Sequence, residues 1–220
     1  MDNPSKIVEG GVTYSLGRFD GCCVHYDFSK ILVYLEAKGK LLFGSHFELF
    51  SNDRKILLQL CSYMIRDATT CAKYDIDINK GILLSGPVGC GKTSLMKLLR
   101  HLDPQRRFYE MIPCRNVSFG FNHIGYKTIE DYGNSGYYCF DDLGVELPGR
   151  FYGKDCNVMG EVLLSRYERH NLSKGSFKTH ATTNLNAEEL ESRYGIRVRS
   201  RMKEMFNLIA FQKHTGDKRK

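Results

Sequence analysis

The chain has 220 residues, which is enough for one sizeable core and too few for two large domains. Because 42% of the residues are hydrophobic and 26% are charged, the composition excludes a largely disordered chain. A formal net charge of +7 favours an anionic partner, such as a nucleotide or a nucleic acid, and does not distinguish between the two.

The eight cysteines form no C-x-x-C pair, and several lie inside apolar runs. This pattern predicts reduced thiols in the core and argues against a disulfide scaffold. No window approaches the roughly 18 consecutive apolar residues that a membrane-spanning helix needs. No apolar stretch follows a basic segment near the start of the sequence. We therefore expect a cytoplasmic protein.

Residues 1–47 are rich in glycine and contain two short β-rich pieces, Val24–Tyr26 and 31–35, without a lasting helical period. They predict a small N-terminal accessory region. The pattern changes after this region, where Asn52 or Asp53 can cap a helix. The apolar residues of that helix recur at spacings of three and four: Ile56, Leu57, Leu60, Met64 and Ile65.

Alternating strand and helix patterns fill the rest of the chain. Strands are predicted at Gly81–Ser85, 109–112, 137–140 and 180–183, and helices at 92–102 and 157–169. Strands that alternate with helices favour an α/β fold, in which helices cover both faces of a parallel sheet.

A phosphate-binding loop is the strongest motif, because it matches G-x-x-x-x-G-K-[ST] in full between an apolar strand and an amphipathic helix. Its glycines let backbone N–H groups surround an anion at the helix N-terminus. Lys92 is expected to reach the outer phosphates, and Thr93 to offer its hydroxyl to Mg²⁺. The predicted nucleotide contacts are Gly86, Pro87, Val88, Gly89, Cys90, Gly91, Lys92, Thr93 and Ser94.

Cys90 lies inside this loop and allows two interpretations. A thiol near a helix N-terminus can have a lowered pKa, which would make it reactive. Alternatively, Cys90 is a small residue that fits the turn, and this is the interpretation that we prefer.

Two carboxylates, Asp141 and Asp142, follow the apolar run 137–140. P-loop proteins supply a Mg²⁺ ligand and a water-polarising group in this way. We expect Asp141 to help to hold Mg²⁺ and Asp142 to orient the attacking water as the catalytic carboxylate. Glu146 is the second candidate for this base, because its side chain is one methylene longer.

A polar amide, that of Asn184, follows the predicted strand 180–183. It is suited to hold the lytic water beside the γ-phosphate. Asn is also common in turns, and the position of this one after the first two motifs is what favours a catalytic role.

A basic cluster comes last. Its members are Arg193, Arg197, Arg199, Arg201 and Lys203. On a helix that begins at Gly195, Arg197 and Arg201 share one face. A guanidinium from this face could stabilise transition-state charge at the nucleotide of a neighbouring subunit. For Arg199 and Lys203, a solvated basic face is the preferred interpretation.

In this order, the motifs resemble the AAA+ ATPases of the DnaC/IstB family, which includes bacterial replicative helicase loaders and insertion-sequence transposition helpers. The segments that carry the resemblance are 86–93, 140–144, 164–168, 182–184 and 194–202. The resemblance implies an αβα AAA+ P-loop domain over 48–212 and ATP-dependent assembly on DNA. It also implies that Asn184 is sensor 1 and that Arg201 is the arginine finger.

The chain departs from this family after the basic cluster. A typical AAA+ chain continues into a helical lid with a second sensor arginine, and we expect little or no such lid here. Residues 213–220 are expected to form a solvated basic tail that contains Lys213, Lys218, Arg219 and Lys220. Lys218 or Arg219 is a weak substitute for the missing arginine.

A surface for single-stranded DNA is a further hypothesis. Basic and aromatic residues lie between the second and third strands of the main domain: Arg115, Phe119, Phe121, His123, Tyr126 and Lys127. Such residues can stack on bases and contact phosphates. For Phe119 and Phe121, packing in the core is the preferred role.

These features favour a Mg²⁺-dependent ATPase of the AAA+ class that acts on DNA replication or transposition complexes. The expected partners are ATP, single-stranded DNA, a replicative helicase or transposase, and further copies of the chain in an ATP-dependent homo-oligomer. Two alternatives stay open: a P-loop phosphotransferase for a small molecule, and a nucleotide-dependent scaffold with little turnover. The late arginine cluster and Asn184 favour the AAA+-type ATPase over both alternatives.

Overall fold

The computed structural model describes residues 3–102, 108–212 and 215–218. Its strands are Lys6–Glu9 (β1), Val12–Ser15 (β2), Gly17–Phe19 (β3), Val24–Tyr26 (β4), Gly81–Ser85 (β5), Glu110–Pro113 (β6), Tyr138–Asp141 (β7), Gly149–Phe151 (β8), Lys154–Cys156 (β9), Thr179–Thr183 (β10) and Phe206–Ala210 (β11). Its helices are Phe28–Phe43 (α1), Arg54–Met64 (α2), Ala68–Lys73 (α3), Lys92–Leu99 (α4), Cys114–Ile124 (α5), Tyr126–Asn134 (α6), Val158–Leu172 (α7) and Ala187–Met205 (α8). Of the helices in these ranges, not one combines the length and the apolar character that crossing a membrane requires.

Five parallel strands form the central sheet, in the order β11, β5, β10, β7 and β6. On the two sides of β5, Ser85 lies opposite Ala210 of β11 and opposite Thr183 of β10. Because the strands are parallel and in this register, their carboxyl ends lie at one edge of the sheet. The predicted α/β fold is confirmed.

Apolar side chains cover both faces of this sheet. One buried cluster joins α1, α2 and α4 to the sheet and includes Leu35, Leu57, Leu84 and Leu98. The cluster on the other face joins α5, α7 and α8 to it and includes Val117, Phe140, Val162 and Met202. The burial of apolar surface on both faces is what holds the sheet between the helices.

The N-terminal region consists of two β-hairpins and a long helix. The strand Val24–Tyr26 is present, but the predicted β-rich piece 31–35 lies inside α1, so that prediction is wrong. Asp27 caps this helix, because its carboxylate accepts the N–H groups of Ser29 at 2.9 Å and Lys30 at 3.3 Å. A short apolar run fits a strand or a buried helix equally well by period alone.

The ends of the other predicted elements move by a few residues. The helix predicted at 92–102 is α-helical to Leu99 and continues as a 3₁₀ turn, Arg100–Leu102. The helix predicted at 157–169 begins after Asn157, whose side chain accepts the N–H of Gly160 at 3.2 Å. Helix ends of this kind depend on single capping contacts, which sequence patterns define poorly.

The thiols follow the predicted pattern in the core. Cys61, Cys71, Cys90, Cys114 and Cys139 are buried and free. At the turn between β3 and β4, by contrast, Cys22 and Cys23 are exposed. Lys213, Arg219 and Lys220, which were expected in a basic tail, lie outside the described residues.

Arg166 of α7 is a buried cation that holds the segment before β7 in place. Its guanidinium donates to the carbonyl oxygens of Tyr132 at 2.6 Å and Gly136 at 3.1 Å, and to the hydroxyl of Thr179 at 2.6 Å. It also lies 4.5 Å from the ring centroid of Phe177. Burial lowers the pKa of Arg166 to about 10, which leaves it charged at neutral pH. Carbonyl dipoles and aromatic faces therefore balance this charge.

Candidate nucleotide-binding site

The phosphate-binding loop connects β5 to the N-terminus of α4 at the carboxyl edge of the sheet. Gly89 and Gly91 have φ values of +81° and +95°, in the left-handed region that L side chains rarely adopt. A Cβ on Gly86 would lie 2.7 Å from the Cβ of Phe211, so this position also has no room for a side chain. The glycines at these positions therefore meet steric demands of the loop.

Lys92, the first residue of α4, lies beneath this loop. Its ammonium donates to the carbonyl oxygens of Gly86 at 2.8 Å and Pro87 at 2.9 Å. These contacts bring a buried positive charge to the loop that the motif predicts as the phosphate site. A phosphate group is a stronger partner for an ammonium than a carbonyl oxygen is.

A shared carboxylate joins the loop to the strand beside it. The hydroxyl of Thr93 donates to Asp141, at 2.9 Å from Oδ1 and 3.1 Å from Oδ2. The hydroxyl of Thr182 also donates to Asp141 Oδ1, at 2.6 Å. Thr93 and Asp141 thus present adjacent oxygen atoms, and oxygen atoms are what Mg²⁺ prefers, in a set completed by phosphates and water.

Asp142 follows directly and has a positive φ of 57°. Its backbone N–H donates to the hydroxyl of Thr182 at 2.9 Å, which holds the turn against β10. Partial burial and the adjacent Asp141 carboxylate raise the pKa of Asp142, whereas Lys92 and Arg115 oppose this shift. Its carboxylate is therefore a better proton acceptor than an isolated aspartate.

Asp142, Lys92, Thr93 and Asn184 line one cavity of about 330 Å³. Within the described part of the chain, Asn184 Oδ1 is buried without a hydrogen-bond partner. A buried amide oxygen without a partner is costly, and a water or ligand hydrogen would satisfy it. The cavity therefore brings together part of the phosphate-binding loop and the predicted base and water-holding residues, and Asp141 adjoins it through Thr93.

This fold is similar to the folds of several solved structures. The DnaC helicase loader matches with a TM-score of 0.53 and 19% identity, over 76% of this chain and 94% of the loader chain. At this level of identity the likeness shows the fold, a parallel sheet between two layers of helices. AMPPCP-bound DnaA from Aquifex aeolicus matches with a TM-score of 0.51 and 16% identity. This match covers 76% of the present chain and 48% of the DnaA chain. Comparison with protein-family models and with curated proteins gives no match.

Glu146, the second candidate for the base, lies next to this site and is buried. Its carboxylate accepts the N–H of Gly144 at 2.9 Å and the hydroxyl of Tyr194 at 2.6 Å. Arg193 Nη2 lies 3.7 Å from the same carboxylate. Because Glu146 is tied to α8 by these contacts, the geometry favours Asp142 as the base.

A second cavity, of about 240 Å³, lies on the other side of the phosphate-binding loop. It shares Gly89, Gly91 and Ser94 with the first cavity. Its other walls are mainly aromatic and apolar and include Phe43, His46, Phe47, Leu49, Phe50 and Leu95. A flat aromatic ligand fits such walls, because ring faces pack well against each other. We refer to this space as the aromatic cavity.

Lys218 also lines the aromatic cavity and was expected in a solvated tail, so that expectation is wrong. Its ammonium donates to the carbonyl oxygen of Cys90 at 3.0 Å, and its side chain is only 15% exposed. Cys90 itself is buried, and burial raises the pKa of its thiol despite the nearby Lys92. The geometry thus favours Cys90 as a residue that fits the turn.

The predicted arginine finger lies far from this site within one chain. Helix α8 is interrupted at Gly195, which has φ 82° and ψ 159°. Arg201 comes one turn before the helix leads into β11, at the sheet edge opposite to the phosphate-binding loop. Its guanidinium donates to the carbonyl oxygen of Arg197 at 3.2 Å and lies 5.2 Å from the ring centroid of Tyr167.

The proposed DNA-contacting residues lie on α5 and α6. Phe121 is buried, as preferred, but Phe119 is 54% exposed, so the core role expected for Phe119 is wrong. Tyr126 is 63% exposed. The basic residues of the set, Arg115, His123 and Lys127, are exposed as well. We call these five exposed residues the α5–α6 surface.

Sequence reasoning gave no individual role to Thr182, which bridges Asp141 and the backbone of Asp142. The signal that could have identified Thr182 is its position opposite the end of β7 in the sheet, beside Asp141. It also missed Asp53 as a site residue, because Asp53 was read only as a helix cap. In the structure, Asp53 makes no capping hydrogen bond and its carboxylate forms an ion pair with Lys218.

We predict that Glu146→Gln destabilises the fold. An amide would turn its NH₂ group towards either Gly144 N–H or the Tyr194 hydroxyl, so one buried donor would lose its acceptor, at a cost of about 1–3 kcal/mol. Denaturant unfolding of the variant checks this. Glu36→Gln, which makes the same change in an exposed pair with Lys40, is the matched control. Equal stability of the two variants would contradict the structural role of Glu146.

Proposed function

We propose that this protein binds ATP with Mg²⁺ at the phosphate-binding loop and hydrolyses it. The observation that carries the proposal is the contact of the Thr93 hydroxyl with the Asp141 carboxylate beside the loop and Lys92. These groups have the chemistry of a Mg²⁺–triphosphate site. Bound Mg²⁺ would neutralise charge on the β- and γ-phosphates.

The protein groups have separate roles in this proposal. Lys92 exchanges its loop carbonyls for phosphate oxygens, while the loop N–H groups hold the same anion. Asp142 accepts a proton from the attacking water, for which its raised pKa is suited. Asn184 offers its buried amide oxygen to that water. Water is thereby oriented towards the phosphate from two sides.

We place the adenine base in the aromatic cavity. This cavity meets the phosphate side of the loop at Gly91 and Ser94, so one nucleotide can extend through both spaces. Phe47 and Phe50 line this cavity and offer ring faces to the base. Because the two cavities share this wall, a nucleotide can occupy both of them, whereas a ligand that consists only of phosphate would leave the aromatic cavity empty.

The functional test compares Lys92→Ala with Asp142→Asn. Removing the ammonium should weaken binding of a fluorescent ATP analogue and abolish turnover, because phosphate charge is left unbalanced. Asp142→Asn should bind with unchanged affinity and hydrolyse about 10²–10⁴ times more slowly, since the amide cannot accept the proton. Phosphate release with and without EDTA measures turnover and its Mg²⁺ dependence.

Asp131→Asn is the control, because Asp131 is an exposed acid that pairs with Lys127 on α6. It should behave as the wild type does. Binding without turnover in the wild type would instead favour a nucleotide-dependent scaffold. Phosphate transfer to a small acceptor in place of water would favour a phosphotransferase.

We further infer that the α5–α6 surface binds single-stranded DNA and that the ATPase acts on replication or transposition complexes. Exposed aromatic rings beside basic side chains support this, because they combine base stacking with phosphate contacts. The resemblance to helicase loaders points the same way. A replicative helicase or a transposase is the protein partner that this role requires.

For this surface we predict that Phe119→Ala and Tyr126→Ala each weaken binding of a fluorescent single-stranded oligonucleotide. Loss of one stacking platform costs about 1–3 kcal/mol. Fluorescence anisotropy at two salt concentrations measures the effect, and affinity should fall as salt rises. Phe19→Ala, which removes a half-exposed ring from the N-terminal hairpin, should bind normally. Binding losses equal to this control would argue against the surface.

We also propose that Arg201 acts in trans, in a homo-oligomer that forms with ATP. Its distance from the loop of its own chain supports this, because a single chain leaves the site without that guanidinium. Transition-state charge needs a further cation, which contributes roughly 10³–10⁵ in rate in other P-loop proteins.

The corresponding prediction is that Arg201→Ala and Lys92→Ala are both inactive and that mixing them restores some turnover. A mixed interface can pair an intact loop with an intact arginine. Arg199→Ala, on the same helix, is the control and should retain activity. If the mixture stays inactive although the two variants assemble together, Arg201 acts within its own chain or only in packing.

A further inference from the structure

Residues 215–218, which follow β11, lie against the phosphate-binding loop. The backbone N–H of Lys218 donates to the carbonyl oxygen of Gly89 at 3.0 Å, and its ammonium donates to that of Cys90, also at 3.0 Å. The carboxylate of Asp217 occupies the space where a Cβ on Gly89 would point. This segment therefore contacts the loop through both backbone and side chains.

An ion pair ties the same segment to the start of α2. The Lys218 ammonium contacts the carboxylate of Asp53, whose side chain is 8% exposed. The ammonium also lies 5.0 Å from the ring centroid of Phe50 and 4.8 Å from that of Phe211. A charge pair that is shielded from water in this way is strongly destabilised when one partner is removed.

The local geometry of Asp53 indicates that this pair has a specific role. Asp53 occupies the N-cap position of α2, where an aspartate usually accepts a backbone N–H. It makes no capping hydrogen bond there, and its carboxylate turns to Lys218. The 3₁₀ turn Ser51–Asp53 runs directly into α2, so the Asp53 carboxylate has no capping role and forms an ion pair at the wall of the aromatic cavity.

We propose that the Asp53–Lys218 pair is a clamp that retains the nucleotide by holding segment 215–218 across the aromatic cavity. The inference rests on the proposed function, because the ligand that it retains is the nucleoside in that cavity. The clamp differs from the phosphate-binding groups in that it acts on the base side and on the rate of release.

The contacts favour retention over obstruction. Lys218 engages carbonyl oxygens of the loop, whereas a bound phosphate is held by the loop N–H groups. The cavities on both sides of the loop have their volumes of about 240 and 330 Å³ with the segment in this position. A nucleotide therefore has room while the clamp is closed, and release requires the ion pair to open.

The test measures release of a fluorescent ATP analogue from the full chain by stopped-flow displacement with excess ATP. Lys218→Ala and Asp53→Ala should each release the analogue about tenfold faster, the effect of losing one charge-assisted hydrogen bond. The exchanged pair, Asp53→Lys with Lys218→Asp, should release the analogue more slowly than either single variant, because the ion pair is rebuilt with reversed polarity although the contact with Cys90 is lost. Lys40→Ala, which breaks an exposed pair with Glu36, should release at the wild-type rate.

Each other outcome overturns the clamp in a recognisable way. If Lys218→Ala binds the analogue normally and releases it at the wild-type rate, the clamp hypothesis is wrong and the proposed function is unaffected. Faster or tighter binding by Lys218→Ala shows that the segment obstructs the site. Failure of the exchanged pair to recover, although its unfolding transition matches the wild type, also contradicts the clamp. If the wild type does not bind the analogue at all, the proposed function fails, and the clamp fails with it.

Discussion

The carboxylate of Asp141 is the point on which the site depends. It accepts hydrogen bonds from Thr93 at the start of α4 and from Thr182 in the neighbouring strand. Thr182 in turn accepts the N–H of Asp142, and the N–H of Gly86 donates to the carbonyl oxygen of Thr183 at 3.2 Å. One polar chain therefore connects the loop, the acidic turn and the end of β10. Loss of one member would leave the others with unsatisfied groups in a partly buried space.

The parallel sheet makes this chain of contacts possible. Because β5, β7 and β10 end at the same edge, residues that are distant in sequence meet there without a specialised loop. The phosphate-binding loop then separates two unlike spaces, a polar one beside Asp142 and an aromatic one beside Phe47. A ligand with an anionic end and an aromatic end matches both spaces at once.

The sequence predicts best the features that depend on neighbours in the chain. The strand Gly81–Ser85 and the loop after it follow from a local pattern of apolar and glycine residues. The apolar run inside α1 was misread, because a short run has no distinctive period. The contact between Asp53 and Lys218 joins residues 165 positions apart. No local pattern encodes such a contact, and the same holds for the burial of Glu146 against Tyr194.

The break at Gly195 divides α8 into two arms with different anchors. Before it, Tyr194 is held by Glu146 beside the acidic turn, and after it the helix carries Arg201 to the opposite edge of the sheet. Only glycine tolerates the backbone angles found here, so this residue sets the angle between the two arms. Arg201 lies six residues beyond Gly195. At 1.5 Å of rise per residue this arm is about 9 Å long, and a rotation of about 10° would displace its end by roughly 1.5 Å. Half an ångström decides whether a hydrogen bond forms, so the angle fixed at this one glycine determines which contacts Arg201 can make at the far edge of the sheet.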